Sequence, residues 1–545
     1  MTVRSALATM AGLFCASGAA AQTVLDRVEP TRVEETAQPD DKPPANAPAV
    51  TITPSSAAAR VSPVFVGAIV LSGLTMLRAA DFSDIVQTYV GRTLSPADLG
   101  QLSDAVAGRA RARGLVLASA TIPTQPIASG VLRIAVEEGH VDEIRFDGPE
   151  NRSVRASLAP LIGSGPVTLA RLERHLLVAG DVDGIWLRGT RLVREGGRNV
   201  LEVRIGVDRF AATVALDNSG SRPIGPIQGD VVARIAHILA DDDVLALSGL
   251  LTPTQPDEFG FARLRYTKRV SAAGTELSGS VSAARTHPGA YLRSRDIQGD
   301  SWTASLGVLH PVLRSRAASL WLEGSLGVRR TRQERQDVLA RRDRLTVARV
   351  GVYGFADVPG GRLRSSATLS QGLDLFDPTR RGDPLASRSD ADGTFTSLTL
   401  TADWTGPIVP DVTLQVAFAT QVAAQPLLVA EETGIGGGQF LRAYDYSELS
   451  GDQGTMGAAE LRWAAAPKLG PVRKPVLYAF VDGGRVTNLR RGFGTGTLFS
   501  TGAGLRMDLA DLLNADVGIA VPLSGERYDS GNSRPVVNFR LTHRF

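Results

Sequence analysis

The chain has 545 residues, 43% hydrophobic, 21% charged and 6% aromatic, with a formal net charge of +3. That length suggests roughly two to four domains, and balanced charge with an ordinary apolar fraction excludes a chain disordered throughout. One cysteine, Cys15, excludes a disulfide framework, and mean hydropathy near zero excludes a polytopic helical membrane protein.

In chain order, a targeting segment comes first. Met1–Arg4 is basic, Ala6–Ala16 is apolar, and Ala19-Ala20-Ala21 before Gln22 has the small-x-small form of a secretory cleavage site. Residues 1–21 read as a signal peptide. Residues 22–62 are rich in Pro, Ala and acidic side chains and read as a linker, with a short helix expected near 24–35. The run Val64–Leu77 has only 14 residues and is broken by Gly67, Ser72, Gly73 and Thr75. A membrane helix needs roughly 20, so this run is expected to be a buried strand and a turn. An exported chain without a membrane helix can be periplasmic, secreted or an outer-membrane barrel.

Residues 63–207 repeat one pattern. Val64–Leu71 reads as a strand, Ala79–Val90 and Pro96–Arg113 as helices, and Leu115–Ala120 and Val131–Val136 as strands. The order recurs at Val141–Phe146, Ser153–Ile162, Leu169–Ala179, Gly184–Leu192 and Val200–Val207. Ser95 and Thr168 each precede a second helix, where a hydroxyl can cap exposed N–H groups. Two adjacent β-α-α-β-β units, 63–138 and 139–207, resemble POTRA domains.

Residues 208–545 have period two. Ala318, Leu320, Leu322, Leu326 and Val328 share an apolar face, while Ser319, Trp321, Glu323, Ser325 and Arg329 share the other. Sixteen such segments can be placed, from 209–217 to 536–545. Tight turns, as at Ala272-Ala273 and Gly360-Gly361, alternate with long polar intervals such as 371–394 and 423–455. An even number of roughly ten-residue strands with that asymmetry predicts a membrane β-barrel of about 16 antiparallel strands. The last strand ends in Phe545, with Phe539 and Leu541 on the same face. This resembles the C-terminal signal read by the barrel-assembly machinery.

No enzyme motif is present. There is no Gly-x-Ser-x-Gly elbow, HExxH or P-loop, and the six histidines have no ligand spacing. No basic run is interleaved with aromatics, so no nucleic-acid partner is expected. No cofactor or metal is expected.

Two segments stand out. Gln439-Phe440-Leu441-Arg442-Ala443-Tyr444 lies within the long interval 423–455, and Phe480-Val481-Asp482-Gly483-Gly484 lies mid-strand about forty residues later. Together they resemble the outer-membrane assembly and two-partner secretion superfamily. The resemblance implies a loop between the eleventh and twelfth strands that folds into the lumen. Its Arg442, with Tyr444, would face Phe480, Asp482 and Gly484 on the thirteenth strand. Gly483 and Gly484 would let the loop approach the wall. Ala443 stands where the family usually has Gly, so the loop tip could differ if that position needs positive φ.

Two POTRA-like units, a Pro-rich N-terminal segment and the opening strand Phe210–Ser219 resemble the transporter of two-partner secretion (TpsB; ShlB/FhaC/HecB type). The implied partners are an unfolded secreted exoprotein (TpsA-like), outer-membrane lipid and the barrel-assembly machinery, for a monomer in the outer membrane with periplasmic POTRA domains. Residues 24–35 would correspond to a pore-plugging helix. A general outer-membrane assembly factor shares the motifs. A passive porin would need neither the repeat nor the Arg442–Asp482 pair. A barrel-embedded enzyme would need a catalytic constellation.

Overall fold

The structure, a computed structural model, describes residues 50–52, 63–126, 129–464, 468–469, 472–490, 492, 494–510 and 512–545. The expected signal peptide and the expected helix at 24–35 lie outside these residues.

The first unit packs helix α1 (Ser83–Tyr89) and helix α2 (Pro96–Ala112) against a small sheet ordered 68–72, 131–137, 119–121. Leu99, Leu102, Val106 and Ala110 of α2 face Leu132, Ile134 and Val136 in one buried cluster. That spacing of three and four is the apolar stripe of a surface helix. Ser95 accepts from Asp98 N at 3.2 Å, and the Asp98 carboxylate accepts from Ser95 N at 2.8 Å, closing a capping box. Two strand expectations need correction. Val64–Leu71 is two strands, 64–66 and 68–72, and Leu115–Ala118 is a turn rather than a strand. Leu115, Leu117 and Ala118 are all buried, so their apolar content reflects a core turn rather than one face of a strand.

Glu138 closes this unit. Its buried carboxylate accepts from Met76 N at 2.8 Å, Leu77 N at 2.7 Å and the Thr75 hydroxyl. Burial alone would raise its pKa, but these hydrogen bonds outweigh it and hold the carboxyl below the ordinary value. A depressed folded-state pKa stabilises above the unfolded value and is lost as pH falls through the folded one. Glu138→Gln should therefore lower the stability of this unit at neutral pH by about 1–3 kcal/mol. The mutational penalty should shrink on acidification below about pH 4. Limited proteolysis across residues 63–139 as a function of pH checks both.

The second unit carries helix α3 (Arg152–Leu158) and helix α4 (Leu169–Gly180) on a sheet ordered 50–52, 185–195, 198–207, 143–147. Thr168 caps α4 by accepting from Arg171 N at 3.3 Å. The other end of α4 is held by the barrel. Arg269 donates to Val178 O at 2.7 Å, and Arg314 makes a two-point contact with Asp181 at 2.6 and 2.8 Å. Cations at a helix C-terminus are favoured by its dipole, and both arginines are buried. Asn151 and Ser153 at the start of α3 reach Asp241 O and Asp242 at 2.6 and 2.8 Å. The unit is thus clamped to one rim of the barrel at three places: residues 241–242, Arg269 and Arg314.

The barrel closes on itself. Its strands are β1 (Phe210–Asp217), β2 (Gln228–Ala236), β3 (Asp243–Leu251), β4 (Phe259–Arg269), β5 (Glu276–Thr286), β6 (Ile297–Arg314), β7 (Ala318–Arg335) and β8 (Val338–Val358). They continue as β9 (Gly361–Gly372), β10 (Thr396–Val409), β11 (Val412–Ala423), β12 (Gln453–Ala464), β13 (Val472–Thr487), β14 (Gly496–Ala510), β15 (Leu513–Pro522) and β16 (Val536–Arg544). Strands β1 and β16 pair antiparallel from Thr213↔Arg544 to Asp217↔Arg540. Strands β7 and β8 are long because their polar outer ends, 331–335 and 338–342, continue the ladder past the alternating span, and β6 extends at both ends, from Ile297 to Arg314.

The faces decide what kind of barrel this is. Leu306, Leu322, Leu326, Val350, Phe418 and Trp463 point outward and are exposed. A soluble sheet would bury that face. An apolar exterior around a polar interior is the inverse arrangement, suited to lipid, and closure satisfies every strand edge. Among the described residues no helix is long and apolar enough to cross a membrane.

Candidate functional site

The lumen encloses a cavity of about 1310 Å³. The segment between β11 and β12 enters it. A short ladder, Thr433–Ile435 against Leu449–Gly451, forms its stalk, and Tyr444 N donates to Leu441 O at 2.9 Å at its tip. The tip is buried: Phe440, Leu441, Ala443 and Tyr444 pack with Met456, Tyr478, Phe480 and Val486. On the far wall, Arg349 of β8 binds Glu431 at 2.7 Å, and Arg329 of β7 donates to Ala430 O at 3.1 Å.

The structure brings the five sequence-selected wall and loop residues together. The Arg442 guanidinium lies 3.9 Å from the Phe480 ring centroid, a favourable cation–π distance. Its Nε stands 3.6 Å from Asp482 Oδ2, and its backbone N donates to the same oxygen at 3.3 Å. Tyr444 OH pairs with Ser524 Oγ at 3.2 Å, across to the β15–β16 loop. Gly484 leaves room for the loop: a Cβ there would stand 3.2 Å from Leu441 Cδ1 and 3.3 Å from Ile435 Cγ2. Gly483 does something else. It points outward, where a Cβ would overlap the Phe499 ring at 2.5 Å. Neighbours on a strand face opposite sides, so only one of the pair can serve the loop.

The shortest partner of Arg442 was not legible in the motifs. Glu460 of β12, directly opposite Phe480, accepts from Arg442 Nη1 at 2.5 Å. It also accepts from Arg462 Nε and Arg506 Nη1, each at 2.6 Å. Asp482 is shared with the Ser500 hydroxyl of β14. The site is therefore a network of three half-buried arginines around the buried Glu460, with buried Asp482 gripping the loop backbone. Charge-assisted bonds of this kind strengthen where water is excluded. The only signal for Glu460 was its place as a lone acid on the lumen face of β12.

Ala443 does not take the left-handed conformation; Leu441 does, with φ of +61°. The strain of a non-glycine residue there falls on a leucine that is wholly buried in return. Phe539 and Leu541 pair across to neighbouring strands, Leu541 opposite Leu216, and Phe545 stands exposed with its ring 4.4 Å from His543.

A sixteen-stranded lipid-facing barrel, a loop fixed in its lumen and an N-terminal region docked beneath it are the architecture of an outer-membrane protein transporter or assembly factor, and the family match decides for the transporter of two-partner secretion. Residues 200–507 match the model of the haemolysin secretion/activation protein ShlB/FhaC/HecB family, and residues 64–139 match the ShlB-type POTRA domain. The chain belongs to that family. It is similar to the outer membrane transporter CdiB of Escherichia coli, at 26% identity over 481 residues, covering 84% of this chain and 79% of that one. It is also similar to the heme/hemopexin transporter protein HuxB of Haemophilus influenzae, at 25% identity over half of this chain (50%) and 49% of that one. The solved structure of CdiB from Escherichia coli superposes with a TM-score of 0.69 at 21% identity, covering 90% of this chain and 93% of that one. POTRA domains of this family lie in the periplasm, and the barrel lies in the outer membrane.

Proposed function

We propose that this transporter carries one dedicated, unfolded exoprotein. Residues 139–207 act as a second POTRA domain that receives the client by strand addition at the barrel mouth. The observation that carries this is the strand 185–195, which would be the edge of its sheet but for Val50–Ile52. It already pairs in parallel with Val50–Ile52, with Thr51 opposite Arg191. An edge that accepts an extended segment of its own chain has the geometry to accept one from a client. The client then moves through the polar lumen and folds outside, which biases the passage without nucleotide. Arg442, Glu460, Phe480, Asp482 and Tyr444 hold the lumen loop at rest, and the loop must shift for the client to pass. The transporter has no catalytic step of its own, acts as a monomer, and reaches the membrane through the barrel-assembly machinery reading Phe539, Leu541 and Phe545.

Quantitative proteomics of culture medium and outer membrane, wild type against a deletion strain, tests the reading. Loss of one large protein from the medium with other barrels unchanged is expected. Broad depletion of outer-membrane barrels would instead mark a general assembly factor.

A further inference from the structure

The pairing of β1 with β16 is short, ending at Asp217↔Arg540. Beyond that point a side chain continues it. Asn218 Nδ2 donates to Val537 O at 2.7 Å, and Asn218 Oδ1 accepts from Phe539 N at 2.8 Å. The amide thus imitates a strand residue, gripping the main chain on both sides of Asn538. Arg540 adds ion pairs to Asp217 and Asp230, at 2.5 and 2.9 Å.

Asn538 itself points into the lumen. Its Nδ2 donates to the backbone carbonyl of Arg442 at 2.9 Å. Arg442 is therefore held from three directions: its guanidinium by Glu460 of β12, its N–H by Asp482 of β13, and its C=O by Asn538 of β16. One tripeptide, Val537–Phe539, is bound on its edge by Asn218 and on its inner face by the loop tip. The β15–β16 loop joins the same assembly, because Tyr528 N donates to Glu448 at 2.6 Å.

We propose that Asn538 is a positioning residue that couples the lumen loop to the β1–β16 seam. Docking of the loop holds the tripeptide in register for Asn218. Withdrawal of the loop takes the Arg442 carbonyl away, and the seam is left to its short ladder. By linkage, anything that loosens the seam also weakens the hold on the loop. Client passage would then displace the loop and slacken this seam in one event; that last step rests on the transport reading above.

Hydrogen–deuterium exchange on the full-length protein in lipid or detergent, without any client, tests the coupling. Asn538→Ala should speed exchange of amides in 536–545 and 210–217 by about fivefold or more. The loop peptide 433–451 should also exchange faster, while 297–358 stays as in wild type. Arg442→Ala should loosen 536–545 similarly, and the double variant should go no further than the larger single effect. Asn538→Asp keeps the size but places an acceptor against the Arg442 carbonyl, so it should act at least as strongly. Each variant must keep a folded barrel, read as a heat-modifiable band on gels. Wild-type exchange at the seam in folded Asn538→Ala and Asn538→Asp would overturn the proposal. So would an Arg442→Ala effect confined to the loop. Because no client is present, failure here is separable from failure of the secretion reading.

Discussion

Arg442→Ala is expected to cut client secretion at least about tenfold while leaving the barrel inserted. The substitution removes a charge-assisted bond to Glu460 and the stacking on Phe480. Together these are worth about 3 kcal/mol, which shifts the docked-to-free ratio of the loop roughly a hundredfold. The barrel tolerates the loss because Glu460 keeps Arg462 and Arg506, and Asp482 keeps Ser500. Glu460→Ala is expected to match or exceed it, since three arginines then face one another without their shared carboxylate. Asp482→Ala should be milder: its closest tie to the loop is a 3.3 Å bond to a backbone N–H. Arg442→Lys should resemble alanine more than wild type, because an ammonium lacks the planar face that stacks on Phe480. Secretion of the client into the medium, measured beside maleimide labelling of a cysteine at Gln439, ranks the set. Full secretion by a folded Arg442→Ala protein would remove the loop network from the mechanism.

The barrel was legible because lipid enforces a period of two. Leu320, Leu322 and Leu326 must alternate with Ser319, Glu323 and Ser325 whatever else the chain does. Where lipid ends, that constraint ends, and the outer ends of β7 and β8 continue as strand without an alternating signal. The loop and the thirteenth strand were legible through a resemblance, and geometry then reassigned parts of it. Glu460 escaped because its three arginines come from the loop, β12 itself and β14, so no sequence spacing links them. Arg462 is two residues away, yet two residues along a strand is merely the next position on the same face. Asn218 and Asn538 escaped for the same reason: the seam joins the first strand to the last. Ala443 is tolerated because the left-handed position of the tip falls on Leu441, a placement no single sequence reveals.

The outer mouth holds a second network, and its disruption should be the most damaging to the external loops. Arg388, in the β9–β10 loop, is almost fully buried. It binds Asp452 at 2.6 Å and Glu432 at 2.8 Å in the β11–β12 segment. It also donates to Asn488 Oδ1 and Leu489 O in the β13–β14 loop, each at 3.2 Å. Burial alone would push its guanidinium pKa down; Glu432 and Asp452 more than reverse that and hold it above its ordinary value. One side chain therefore staples three loops over the base of the segment that enters the lumen. Arg388→Ala leaves two buried carboxylates without their counter-ion, at a cost of about 3–5 kcal/mol to the packed loops. External protease should then cut within 373–395 and 424–452 while β1–β16 stay folded. Adding Glu432→Gln and Asp452→Asn to Arg388→Met should restore much of the resistance, because the penalty comes from orphaned charge rather than from lost attraction. If the triple variant is cut as fast as Arg388→Ala, the staple works through shape and hydrogen bonding instead. If Arg388→Ala resists protease like wild type, the three loops are held by their apolar contacts around Phe395, Leu427 and Leu428, and the lumen segment is then anchored from inside the barrel alone.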